Sequence, residues 1–127
     1  MPCEPIQKRL AVLGSGKMGG ILIEAFLRQG LVPPYDIAAT VKHADLERKF
    51  SSGARVQTNT DNRGAARSAD VILICVKPGA ISELLEEIRP EINGRKLVIS
   101  IAASVPTDYI EKRLDAGVPV IRAMPNT

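Results

Sequence analysis

Short apolar runs alternate with amphipathic segments along the chain. The runs are rich in branched aliphatic side chains and are bounded by Gly, Pro or charged residues, which is typical of buried β-strands. They lie at residues 10–13, 37–40, 71–76, 97–102 and 118–121, with a weaker candidate at 55–57. This pattern predicts five strands and a possible sixth.

The segments between the runs carry apolar residues at the three- and four-residue spacing of amphipathic helices. Helices are predicted at residues 18–28, 80–88 and 107–114, with shorter candidates at 44–50 and 62–67. Strands and helices in alternation imply right-handed crossovers between parallel strands. We therefore predict a single α/β domain over residues 1–127, with a Rossmann-type, doubly wound, mainly parallel sheet and helices on both faces.

Composition narrows the class of function. Hydrophobic residues make up 45% of the chain and aromatic residues 3%, so stacking platforms for single-stranded nucleic acid are scarce. The net charge of +3 is scattered, which favours a small anionic ligand and gives no reason to expect nucleic acid. Without a membrane-length apolar run or a signal peptide, we expect a cytoplasmic protein. Cys3 and Cys75 are interpreted as unrelated thiols, with no metal site expected.

A glycine cluster follows the first apolar run and opens the first predicted helix. It reads Gly14-Ser15-Gly16-Lys17-Met18-Gly19, which is the pattern G-x-G-x-x-G. In a dinucleotide-binding turn, the first glycine permits the tight turn, the second lets the backbone approach a pyrophosphate, and the third lets helix and strand pack closely. Amides at the start of the helix would then face the negative charge. A turn of purely structural importance is the alternative.

The end of the second strand bears on the choice of cofactor. Dinucleotide-binding domains that use NAD place an acid there to hold the ribose hydroxyls. This chain instead has Thr40-Val41-Lys42-His43, whose hydroxyl, ammonium and imidazole groups suit an additional 2′-phosphate. NADP is therefore favoured over NAD, and the missing acid also disfavours S-adenosylmethionine. An exposed loop histidine without a role is the alternative for His43.

The carboxyl ends of the parallel strands define a shared crevice in which ligands bind. Four segments should reach it: the glycine turn and residues 75–78, 100–103 and 122–127. The second and third offer backbone groups and small side chains, which suits a flat nicotinamide. For Lys77, a cofactor contact and a surface lysine at a helix start are equally good interpretations.

Four segments resemble the pyrroline-5-carboxylate reductase family. They are VLGSGKMGG at 12–20, ADVILICVKPG at 69–79, KLVISIAASV at 96–105 and VIRAMPNT at 120–127. The resemblance implies NAD(P)H-dependent reduction of 1-pyrroline-5-carboxylate to L-proline, a small-molecule reaction of proline biosynthesis. One departure is Ser104-Val105-Pro106, where the family usually has Gly-Val-Thr.

The resemblance also implies which residues contact the cofactor, in five groups along the chain. The implied contacts are Leu13, Gly14, Ser15, Gly16, Lys17 and Met18; Thr40, Val41 and Lys42; Asn62; Cys75, Val76, Lys77 and Pro78; and Ile101, Ala102 and Ala103. Spacing alone would not have selected Asn62, for which a helix cap is the alternative.

Family members continue beyond the position of Thr127 through a helical domain that dimerises and completes the substrate pocket. That domain is absent from this sequence. Because it dimerises in family members, a homo-oligomer is expected of the full-length form. We find no convincing proton donor among the 127 residues, and we expect the isolated chain to bind NADPH without turnover. The alternative to a reductase is a non-catalytic NADP-binding module that serves as a sensor or partner protein.

Overall fold

The computed structural model describes residues 8–41, 47–49, 55–102 and 104–124 of the chain. Seven strands and four helices occur in these ranges. In chain order they are β1 (Leu10–Leu13), α1 (Lys17–Arg28), β2 (Ile37–Thr40), β3 (Glu47–Lys49), β4 (Arg55–Asn59), α2 (Asn62–Ser68), β5 (Val71–Ile74), α3 (Ile81–Ile88), β6 (Leu97–Ser100), α4 (Thr107–Glu111) and β7 (Val120–Arg122). None of the helices within these ranges is both long enough and apolar enough to cross a bilayer.

All seven strands form one sheet in the order β3-β4-β2-β1-β5-β6-β7. Each neighbouring pair is parallel except β3 and β4, which are antiparallel. From β1 the chain builds outward through β2 to β4, and it then returns to the other side of β1 to place β5. The strand order therefore reverses between β1 and β5, where the carboxyl ends of parallel strands leave a crevice.

The sheet buries a different aliphatic cluster on each face, because successive residues of a strand point to opposite sides. One cluster joins Ala11 and Leu13 of β1 to α2, α3 and α4, and we call this side the three-helix face. The other joins Leu10 and Val12 of β1 to Ile23 of α1, and we call it the α1 face. The predicted doubly wound sheet with helices on both faces is confirmed.

The predicted strands are confirmed in position, with changes at their ends. β1 and β2 have the predicted bounds, and β4 extends the weak candidate at 55–57 to Asn59. β5 and β6 end two residues early, at Ile74 and Ser100, since the chain turns there toward the crevice. The last strand begins two residues later than predicted and ends at Arg122.

The helix predicted at residues 44–50 is wrong for the part that the structure describes. Residues Glu47–Lys49 form β3, which pairs with β4 at the edge of the sheet. The backbone edge of β4 supplies hydrogen bonds to this segment. A short isolated helix is less favourable, because its first turn must fix several residues for a single hydrogen bond. A charged Glu-Arg-Lys strand is also typical of a sheet edge, where it discourages pairing with another chain.

The helix predicted at residues 107–114 ends earlier, at Glu111. The chain then tightens, because the amides of Arg113 and Leu114 donate to the carbonyls of Ile110 and Glu111, three residues back. Such 3₁₀-type bonds are common in the last turn of a helix. The predicted helices at 18–28, 62–67 and 80–88 are confirmed to within one residue at either end.

Candidate functional site

A cavity of about 320 Å³ lies at the reversal point of the sheet, on the three-helix side. This volume is in the range of small-molecule sites. Five of the residues that line it were predicted as cofactor contacts from the sequence: Gly14, Thr40, Val41, Asn62 and Val76. Four others come from α3 and the turn before it: Ala80, Glu83, Leu84 and Glu87. The structure therefore brings the ends of three strands and two helices to one place.

Gly14 and Gly19 have the structural roles that the motif predicts. Gly14 has φ +72°, and a Cβ there would collide with Cγ1 of Val76 and lie 3.2 Å from its backbone nitrogen. A Cβ on Gly19 would lie 3.3 Å from Cγ1 of Val12, so this glycine lets α1 pack closely on β1. At Gly16 a Cβ would meet no described atom within 4 Å, and this position is open to a ligand.

Two amides of the turn are held by Thr40 of the neighbouring strand. The Gly14 amide donates to Oγ1 of Thr40 over 3.0 Å, and the Ser15 amide donates to its carbonyl over 2.7 Å. These two amides are therefore engaged within the protein and are not available to a phosphate. The amides that can meet an anion are those of the first turn of α1, which have no acceptor within the helix.

The Thr40 hydroxyl is also turned away from the position predicted for it. Its side chain is 1% exposed, and Oγ1 donates to Oδ1 of Asn62 over 2.5 Å while accepting from Gly14. The hydroxyl has a single proton, which is committed to Asn62, so it has none to donate to a 2′-phosphate. Thr40 contributes to the cavity wall and to the shape of the glycine turn.

Asn62 is not the cap of α2. That position belongs to Asp61, whose carboxylate accepts from the Gly64 amide over 3.0 Å. The Asn62 side chain instead spans the cavity floor, accepting from Thr40 and donating through Nδ2 to Oε1 of Glu87 over 3.0 Å. Asn62 therefore connects the ends of β2 and α3.

Glu83 and Glu87 bring carboxylates to this cavity, although no acid follows β2. They lie one turn apart on α3, and Ala80 and Leu84 continue the same stripe. Both lie among the polar positions of the amphipathic helix predicted at 80–88, and they were not predicted as site residues. Glu83 follows Ala80 by three residues and Glu87 follows Glu83 by four, so the three share one side of a helix, but this spacing does not indicate which element that side faces.

Cys75 and Val76 follow β5, and their side chains pack on opposite faces of the sheet. Val76 lines the cavity, whereas half-buried Cys75 packs with the α1-face cluster. Its amide donates to the carbonyl of Leu13 over 2.9 Å, which continues the β1–β5 ladder. Burial raises the pKa of the Cys75 thiol to about 12, so it is a packing residue and a poor nucleophile.

The remaining predicted contacts differ in how near they lie to the cavity. The Leu13 side chain is fully buried in the three-helix face, and Ser15 is buried with no hydrogen-bond partner for its hydroxyl within the described ranges. Lys17, Lys77 and Pro78 are exposed, while Met18 and Ile101 are half-buried and Ala102 is buried. None of these eight residues lines the cavity, although all are at or near the carboxyl ends of strands β1, β5 and β6. Lys42, His43, Ala103 and residues 125–127 lie outside the described residues.

Relatives of known name align with most of this chain. A pyrroline-5-carboxylate reductase of Methanosarcina acetivorans is 34% identical over 119 residues, which cover 94% of this chain and 44% of the relative. The solved pyrroline-5-carboxylate reductase of Coxiella burnetii is 32% identical with a TM-score of 0.80, covering 96% of this chain and 45% of that one. These relatives confirm the resemblance that the four sequence segments indicated.

A third comparison supports the fold alone, because its identity is low. The structure of Plasmodium falciparum pyrroline carboxylate reductase with NADP bound is 22% identical and has a TM-score of 0.82, covering 97% of this chain and 44% of that one. The chain thus spans less than half of the length of each of these three relatives.

A protein-family model covers the region that contains the glycine turn, the cavity and β6. Residues 9–104 match the family described as NADP oxidoreductase, coenzyme F420-dependent. This range includes the cavity-lining residues and six of the seven strands. The chain belongs to the family of NADP oxidoreductases described as coenzyme F420-dependent.

Proposed function

We propose that this chain is the cofactor-binding domain of a reductase that converts 1-pyrroline-5-carboxylate to L-proline with NADPH. The observation that carries the proposal is the cavity beside the Gly14 turn, at the reversal point of a parallel sheet. Sheets of this type bind dinucleotides at that point. The substrate is proposed because the Methanosarcina acetivorans and Coxiella burnetii relatives are both named pyrroline-5-carboxylate reductases.

The residues present at this edge fit a dinucleotide. The cavity of about 320 Å³ adjoins the turn, and Gly16 leaves open space beside the start of α1. A diphosphate placed there would meet the first-turn amides and the positive end of the helix dipole. Exposed Lys17 and Lys77 lie at the same edge and would attract a polyanion.

When bound, NADPH supplies the hydride for reduction of a cyclic imine carbon. The contribution of this chain is to bind the cofactor and fix its orientation, which reduces the barrier by limiting the motions of the reacting groups. Val76 on the cavity wall and the backbone around Ile101 and Ala102 are the proposed surfaces for that orientation. We expect the proton donor and the substrate carboxylate ligands outside these 127 residues.

The preference for NADPH over NADH is part of the proposal. It rests on Lys42 and His43, whose ammonium and imidazole follow Thr40 in sequence. The negative charges of Glu83 and Glu87 would oppose this preference, because they would repel the 2′-phosphate of NADPH if it lay near them. We also propose that a longer form is a homo-oligomer that works in the cytoplasm on a small-molecule substrate.

Titration of the purified chain with NADPH and NADH tests the binding step. We expect saturable NADPH binding, weaker NADH binding, and a loss of at least about tenfold in NADPH affinity, or 1.4 kcal/mol, in Gly16→Ala. The added methyl group occupies the open space beside the turn without a clash inside the protein. Gly79→Ala is the matched control, because its Cβ also meets no described atom within 4 Å and it does not line the cavity. Equal affinities in all three proteins would contradict the proposed site.

A fusion of this chain to the second half of the Methanosarcina acetivorans reductase tests the reaction. We expect the fusion to form proline from 1-pyrroline-5-carboxylate and NADPH, and the 127-residue chain alone to form none. Gly16→Ala should remove activity from the fusion. A folded fusion that binds NADPH but forms no proline would instead favour a non-catalytic NADP-binding module.

A further inference from the structure

Three hydrogen bonds in series connect α3 to the glycine turn. Nδ2 of Asn62 donates to Oε1 of Glu87 over 3.0 Å, and Oγ1 of Thr40 donates to Oδ1 of Asn62 over 2.5 Å. The Gly14 amide then donates to Oγ1 of Thr40 over 3.0 Å. We call this series the Glu87 relay. It runs along the wall of the cavity, since all four residues line it.

The chemistry of Glu87 gives the relay a single direction. A carboxylate accepts hydrogen bonds and does not donate them, so Asn62 must turn its NH₂ group toward Glu87. Its carbonyl oxygen then faces Thr40, and the hydroxyl must direct its hydrogen to that oxygen. A lone pair of the hydroxyl is thereby left for the Gly14 amide.

We propose that Glu87 is a positioning residue that fixes the glycine turn through this relay. An amide side chain can rotate to exchange its donor and acceptor groups, and a hydroxyl can do the same. Neither Asn62 nor Thr40 therefore defines a direction by itself, whereas the carboxylate does. The turn depends on this direction because Thr40 is 1% exposed, and a buried hydroxyl with the wrong partner is costly.

The relay ends at Gly14, where the backbone of the glycine turn has little freedom to move. Gly14 has φ +72° and packs against Val76, so its backbone has little space in which to move. The following amide, of Ser15, is bound to the Thr40 carbonyl over 2.7 Å. Displacement of Thr40 would consequently shift Gly14 and Ser15 together, and with them the first turn of α1.

Reversing the charge of Glu87 distinguishes its role in the relay from the direct effect of its charge on an anionic cofactor. Glu87 is exposed, and in Glu87→Lys the ammonium offers no acceptor to Nδ2 of Asn62. The Asn62 amide then loses the partner that fixes its orientation, and it can turn its carbonyl away from the Thr40 hydroxyl hydrogen. We expect NADPH affinity to fall about 3- to 10-fold, the value of one hydrogen bond. Glu83→Lys adds the same charge to the same cavity outside the relay, so the change in NADPH affinity that it causes measures the electrostatic effect without the relay.

Two more variants complete the set. Glu87→Gln retains an oxygen that can accept from Asn62, and its affinity should return to within about twofold of the wild type. Glu86→Lys is the control, because Glu86 is exposed on the same helix and does not line the cavity. Affinity in Glu87→Lys equal to or above that of Glu86→Lys would overturn the inference.

Hydrogen exchange of the Gly14 amide, followed by NMR without cofactor, tests the relay independently. We expect exchange about 3- to 10-fold faster in Glu87→Lys than in Glu86→Lys, with Glu87→Gln near the wild type. Unchanged exchange would overturn the inference. The affinity measurement rests on the proposed NADPH site, but the exchange measurement does not. A wild-type chain that fails to bind NADPH therefore refutes the proposed function, while the exchange rates still decide the relay.

Discussion

The two faces of the sheet are built from the same aliphatic residue types but are covered to different extents. On the three-helix face, Ile72, Ile74 and Val98 are all 0% exposed beneath α2, α3 and α4. On the α1 face, residues of the same two strands, such as Val71 and Ile99, are only half-buried. Ile121 of β7 is 50% exposed.

This difference follows from the direction of the crossovers. A right-handed connection that moves one way along the sheet places its helix on one face, and a connection that moves the other way uses the opposite face. Among the residues that the structure describes, only the β1–β2 connection carries an α-helix to the α1 face, and the described part of the β2–β4 connection is β3. An apolar cavity of about 220 Å³ remains there, lined by residues that include Phe26, Leu73 and Ile99.

The sharpest test of the comparison is a pair of matched truncations. Ile72→Ala on the three-helix face should lower the free energy of unfolding by about 2–5 kcal/mol, because a fully buried site cannot collapse around the lost atoms. Ile99→Ala on the α1 face should lower it by about 1 kcal/mol, since that side chain is half-buried beside an existing cavity. Urea unfolding of both variants measures the difference, and equal losses would show that the two faces are equally packed.

A second test concerns the close approach of α1 to β1 at Gly19, where the α1 face is tightly packed. A Cβ on Gly19 would lie 3.2 Å from Cβ of Ser15 and 3.3 Å from Cγ1 of Val12, so Gly19→Val should cost about 1–3 kcal/mol through overpacking. Ala25→Val on the exposed side of α1 is the control for the helix propensity of valine. Thermal unfolding of the two variants should separate them, and similar midpoints would contradict close packing of α1 on β1.

The last test is a pH dependence from Cys75 on the α1 face, which arises only in alkaline solution. Burial raises the pKa of its thiol to about 12 from an ordinary value of 9.0. The unfolded chain therefore loses this proton first as the pH rises, and the contribution of the neutral thiol to stability is lost between those two values. Cys75→Ser should reduce the decline in the free energy of unfolding over that interval. A decline of the same slope in both proteins would place the thiol in contact with solvent.

The fold was largely predictable because its signals are local. Runs of branched aliphatics marked β1, β2, β5 and β6, and Gly-x-Gly-x-x-Gly marked the start of α1. β3 was not predictable in this way, since Glu47–Lys49 has no strand pattern and pairs only because β4 is beside it. Propensity is a weak guide wherever a neighbouring backbone supplies the hydrogen bonds.

The site was predictable only in part, because its residues come from separate elements. Gly14, Thr40, Val41, Asn62 and Val76 were expected at a cofactor site, and the structure places all five around one cavity. Glu83 and Glu87 were interpreted as a solvated helix side. Nothing in their spacing indicated that α3 would point them at the end of β2.

The sequence by itself determined the alternation of strands and helices, the doubly wound class of the fold and the position of the glycine turn. These properties depend on side-chain size and polarity over a few neighbouring residues. Tertiary structure decided which polar groups meet: Thr40 and Asn62 are 22 residues apart in the chain, and Asn62 and Glu87 are 25 apart. Their contacts exist because the strand order sets β2, β1 and β5 side by side, and hydrogen bonds over such separations are fixed by packing and not by local pattern.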